Sequence, residues 1–105
     1  MATRKVRWSY SARDNRKAFF KYWNNRNKSI TYSKKVRSEL SVIQKTLTET
    51  PYIFRETDYE DVRVVPRKNF SLYYTIMGTG DILILTFWDN RQDPDKLDSL
   101  LSSSV

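Results

Sequence analysis

The sequence predicts an α+β domain in which a short strand and a helical hairpin precede a mostly antiparallel sheet, and three patterns carry that expectation. Tyr32, Val36, Leu40, Ile43 and Leu47 recur at intervals of 4, 4, 3 and 4, which places one apolar face on a 3.6-residue period. Phe70, Leu72, Tyr74 and Ile76 alternate with Ser71, Tyr73 and Thr75, the period of a half-buried strand. Between that strand and the apolar run from Ile82 to Trp88 stands Met77-Gly78-Thr79-Gly80-Asp81, which holds both glycines of the chain and makes a hairpin turn.

Along the chain, Val6, Trp8 and Tyr10 fall on one face of a first strand. Ser11 precedes Asp14 by three residues, a variant of the capping box, so a helix is expected from Ala12 to about Arg26 with Ala12, Phe19, Tyr22 and Trp23 on its apolar stripe. The polar run from Asn24 to Ser29 ends it. The second helix carries the 4-4-3-4 stripe and stops before Pro51, because the residue before a proline is pushed out of the helical region. Together the two form an antiparallel hairpin with one apolar and one basic face.

Residues 51–61 read as an acidic loop. Its Glu56, Asp58, Glu60 and Asp61 are expected to be solvated or paired with Arg and Lys, metal binding being the lesser alternative. Val62–Val65 is a short strand stopped by Pro66. Ile82–Trp88, apolar on both faces, is expected to be the central strand, with the helices covering one side. Asp93 and Pro94 suit the cap and first residue of a terminal helix to Leu101, with fraying from Ser102.

With 105 residues, 39% of them hydrophobic, the chain has room for one domain and one core, spanning residues 1–105. It contains no His and no Cys, which excludes a Ser-His-Asp triad, a cysteine nucleophile, a Cys/His zinc site and a disulfide framework. Lys and Arg exceed Asp and Glu by 7, and the excess is uneven. Residues 1–37 hold twelve bases and one acid, a net of +11, whereas the remainder holds seven bases and eleven acids, a net of −4. A region so basic favours an anionic partner, since Lys and Arg displace the counterions of phosphates. The opening Met-Ala-Thr-Arg-Lys-Val-Arg-Trp lacks the apolar core of a signal peptide, and no stretch approaches eighteen apolar residues. A cytoplasmic protein with no membrane partner is therefore expected.

The order of elements, together with the run FSLYYTIMGTGDILILTFWDNRQDP from Phe70 to Pro94, resembles the RelE/ParE superfamily of toxins from bacterial type II toxin-antitoxin modules. The resemblance implies a helical hairpin on a curved, mostly antiparallel sheet, and a cognate antitoxin that holds the toxin inactive. Such an antitoxin is expected to be a short acidic protein with a DNA-binding end, encoded by the neighbouring gene. The resemblance also carries two activities. RelE-like members cut messenger RNA on the ribosome without a metal, while ParE-like members poison DNA gyrase without catalysis, and the fold does not choose between them.

On the positions that match, Arg91 corresponds to the basic residue after the last long strand. Arg63, Arg67 and Lys68 correspond loosely to the bases of the preceding strand. The arginine that RelE-like members often carry after the leading aromatic of the third strand falls at Ser71, a departure, and no Tyr or His follows Arg91. Cleavage without a metal needs a base for the 2′-OH, an acid for the leaving oxygen and positive charge at the phosphorane. Arg91, Arg67 and Arg63 are the candidates for charge and Tyr74 for acid or base, with no cofactor and no metal. Lys17, Lys21, Lys34, Lys35 and Lys68 are the candidates for holding RNA. On this reading ribosome-dependent mRNA cleavage is preferred narrowly over inhibition of DNA gyrase, and a basic nucleic-acid-binding module without catalysis stands third.

Overall fold

A computed structural model describes residues 4–103. The elements are β1 (Val6–Trp8), α1 (Tyr10–Asn27), α2 (Thr31–Glu49), β2 (Arg55–Glu56), β3 (Arg63–Pro66), β4 (Phe70–Ile76), β5 (Ile82–Asp89) and α3 (Pro94–Ser103). The five strands form one sheet in the order β1-β5-β4-β3-β2. β1 runs parallel to β5 and every other pairing is antiparallel, so the expected α+β architecture with its helical hairpin and short terminal helix is the one observed.

Several boundaries differ from expectation for identifiable reasons. Ser9, not Ser11, caps α1: its hydroxyl accepts the Ala12 amide at 3.0 Å and donates to the Leu85 carbonyl at 2.9 Å. The cap is set by the sheet, since β1 ends where its ladder with β5 ends, and Tyr10 is therefore an exposed helical residue rather than a strand residue. On α1 the buried residues are Ala12, Phe19 and Phe20, while Tyr22 is partly exposed. Lys28 closes the helix in the left-handed region at φ 49°, and the Ser29 amide reaches back to the Asn24 carbonyl at 3.3 Å.

The acidic loop contains β2, two residues that pair with β3 and cover its outer edge. β4, rather than β5, takes the middle of the sheet, because β1 adds to the far side of β5. Opposite the bond between Tyr73 and Tyr74, β5 inserts Leu85 as an extra residue, a bulge that increases local twist. Gly80, at φ 92°, makes the β4–β5 turn, where the Met77 amide donates to the Asp81 carbonyl at 2.8 Å. α3 continues through Ser102 and Ser103 instead of fraying there, and the remainder of that expectation, Ser104 and Val105, lies outside the described residues.

One face of the sheet bears the main core. By register Phe70, Leu72, Tyr74 and Ile76 share it with Phe87, Ile84 and Ile82, and α1 and α2 supply Ala12, Phe19, Phe20, Val36, Leu40, Ile43 and Leu47. Phe70 and Phe87 stack at 4.9 Å, and Phe19 meets both edge-on at 5.8 and 5.0 Å. Each such side chain removed from water stabilises the fold by about 1.5–3 kcal/mol. Val62, Val64, Trp88 and Leu101 are buried outside that core, and α3 is joined to the loop before β3 by the hydroxyl of Tyr59, which donates to Asp98.

Candidate functional site

At the end of β5 the chain turns sharply, and Arg91 folds back on the strand it has just left. Its Nε donates to Asp89 Oδ1 at 3.0 Å, a terminal amino group binds Asp89 Oδ2, and its own backbone amide also donates to Oδ1 at 3.0 Å. Asp89 is nearly buried, its side chain 11% exposed against 39% for Arg91. The guanidinium lies 3.5 Å from the ring centroid of Tyr22 and 5.5 Å from that of Trp23, so α1 provides its other wall. The bond to Asp89 is the main influence raising the Arg91 pKa, so the guanidinium is held charged, paired with a carboxylate and fixed in place.

Arg67 and Lys68 reach the same end. Asn90 donates its side-chain amide to the carbonyls of Arg67 at 2.9 Å and Lys68 at 3.3 Å, and it accepts from the Ser71 hydroxyl at 3.0 Å. Asn90 therefore fastens the β3–β4 turn onto the exit of β5, and Ser71 orients its side-chain amide. Arg67 also lies 3.7 Å from Glu39 of α2 and donates to the Pro66 carbonyl at 2.7 Å.

Arg63 and Tyr74 do not join them. Arg63 pairs with Tyr74 in register at the opposite end of β4, and its guanidinium donates to the carbonyls of Phe54 at 2.7 Å and Tyr52 at 3.3 Å and to Glu56 at 3.1 Å. Only 19% of its side chain is exposed, so Arg63 acts as the brace of the β2 loop. Tyr74 is fully buried, and its hydroxyl donates to the Pro51 carbonyl at 2.6 Å, which corrects its expected role as an accessible acid or base. Burial pushes its pKa up to about 12, away from the range of a general base.

Lys17, Lys21, Lys34 and Lys35 are exposed on α1 and α2, and Lys68 on its turn. The sequence reading missed a group of arginines at the hairpin. Arg13, Arg16 and Arg37 line a cleft of about 520 Å³ between α1 and α2, with Phe20 and Leu40 beneath. Part of the signal was in the spacing, since Arg13 and Arg16 stand three residues apart on one helix, but only helix packing brings Arg37 to them. Among the described residues no group of three or more Asp or Glu converges to hold a metal, and no helix is long and apolar enough to cross a membrane.

Over residues 6–94 the sequence matches the family described as ParE toxin of type II toxin-antitoxin system, parDE. The chain belongs to this family of toxins, and membership implies a cognate antitoxin. Among solved structures it resembles one described as the chromosomal ParDE TA system from P. aeruginosa. That likeness has a TM-score of 0.68 at 18% identity and covers 83% of this chain and 96% of that one. No curated protein matches it in sequence.

Proposed function

We propose that this toxin arrests growth by binding, as an inhibitor of DNA gyrase in the cytoplasm, and not by cutting RNA. The observation that carries the reading is the separation of the groups cleavage would need. Arg91 and Arg67 stand at one end of the sheet, Arg63 is engaged at the other, and the hydroxyl of Tyr74 is sealed in the core. Of the ionisable groups beside Arg91, Asp89 is held by three bonds from that residue and Tyr22 turns its ring to the guanidinium, so charge is supplied there without an unengaged base to start a proton transfer. A rigid basic end, with Arg91 clamped between Asp89 and Tyr22, is by contrast suited to contact with a protein surface. The cognate antitoxin holds the toxin until it is released.

The test pairs two measurements. Purified gyrase is expected to lose supercoiling activity when the toxin is added, and cells induced for the toxin are expected to keep intact transcript ends. Unaffected supercoiling together with new mRNA ends would return the chain to the ribosome-dependent reading.

A further inference from the structure

The cleft between α1 and α2 contains three arginines that the site at the end of β5 does not use. We propose that Arg13, Arg16 and Arg37 form a binding site for the phosphate backbone of duplex DNA. The guanidiniums of Arg16 and Arg37 are set in place by ring contacts. Arg16 lies 4.3 Å from the ring centroid of Trp8, which is itself anchored by its Nε1 donating to Gln44 Oε1 at 3.2 Å, and Arg37 lies 4.6 Å from that of Phe20. None of the three arginines makes an ion pair among the described residues, and Asp14 is the one acid on the lining of the cleft. Like charges gathered without a counter-ion are costly, and they are reflected in Arg16, whose pKa is lowered first by burial and then by Arg13 and Arg37. An oxyanion seated between them relieves that repulsion.

The nature of the surface selects among anionic partners. Phe20 and Leu40 are only 7% and 4% exposed, so the cleft presents N–H donors and almost no apolar floor for the side chains of an amphipathic peptide. The one ring on its lining, Phe20, is buried, so the cleft itself gives an unpaired base nothing to stack on. Cations also continue beyond the cleft: Lys17 and Lys21 extend the row from Arg13 on α1, and Lys34 precedes Arg37 by three residues on α2. A repeating row of charge fits a repeating polyanion of fixed shape, and the contacts, being to phosphate, carry no sequence preference.

The test uses the full chain and a labelled duplex of roughly 20 base pairs, with anisotropy read between about 50 and 200 mM salt. It contains neither gyrase nor ribosome, so its result is separate from that of the supercoiling assay. Arg13→Gln with Arg37→Gln is expected to weaken binding about tenfold and to flatten the salt dependence by a slope of about 2. Arg13→Gln with Lys17→Gln, which leaves the ring contacts intact, is expected to act in the same direction. The charge-matched pair Arg55→Gln with Lys96→Gln, placed away from the hairpin, is expected to leave the slope unchanged. Three results would overturn the proposal: equal losses in the control pair, a single strand bound more tightly than the duplex, or displacement of the duplex by polyglutamate at matched charge. The last would reassign the cleft to an acidic protein segment.

Discussion

Tyr74 illustrates how much a side chain's meaning depends on where its hydroxyl ends. In sequence it is one of two adjacent tyrosines on an alternating strand; in the structure its oxygen ties β4 to Pro51, just beyond the end of α2. Replacing it with Phe removes the donor and leaves the Pro51 carbonyl buried without it. Tyr74→Phe is expected to cost about 1–2 kcal/mol in urea denaturation while the folded toxin keeps full potency at saturating dose. A catalytic tyrosine would give the reverse, full stability with lost toxicity. Asp89 has a comparable structural role for Arg91, because a nearly buried carboxylate bonded three times by one residue fixes both the side chain and the turn.

The two ends of α1 show which rules a helix obeys locally and which it takes from its surroundings. Ser9 and Ser11 are equally good caps by composition, and the sheet decides between them by ending β1 at Trp8. Ser9→Ala is expected to destabilise the protein by about 1–2 kcal/mol, since it removes both the cap and the bond to Leu85, whereas Ser11→Ala is expected to stay within about 0.5 kcal/mol. Equilibrium unfolding of both variants checks the pair. At the other end Lys28 adopts a left-handed conformation that suits glycine. Lys28→Gly is expected to raise stability by roughly 0.5–1 kcal/mol, read as a higher unfolding midpoint, because the helix closure is retained without the steric cost of a Cβ.

At the scale of the whole molecule, two phenols link distant elements and share one pH dependence. Tyr59 joins the loop before β3 to α3, and its bond to Asp98 pushes its pKa up to about 12; burial does the same for Tyr74. In the unfolded chain a tyrosine ionises near pH 10. Below that pH both states are neutral and the stabilisation is complete. As pH rises from about 10 toward 12 the unfolded chain ionises first, and stability falls. Melting temperature is expected to drop by several degrees as pH rises from about 10 toward 12, and Tyr74→Phe is expected to make the drop shallower. A curve of unchanged steepness in that variant would count against the burial of the phenol. The charge divides at this scale too, with +11 on residues 1–37 and −4 on the rest, so the positive potential is concentrated on the N-terminal third.

The sequence by itself determined the α+β class, the amphipathic α2 and the β4–β5 hairpin, because hydrophobic periodicity and turn chemistry are properties of neighbouring residues, and the family was legible through the resemblance of the run from Phe70 to Pro94. It also located the basic hairpin, since counting charge needs no coordinates. What only the tertiary structure decided were the cap of α1, the pairing of β2, the middle place of β4 and the membership of each candidate site. Arg63 and Arg67 are four residues apart in the chain but serve opposite ends of the sheet, while Arg16 and Arg37, twenty-one apart, face one cleft. The physical reason is that a guanidinium takes its role from the acceptors and rings within reach of its tip, and those are brought there by strand register and helix packing rather than by neighbours in sequence.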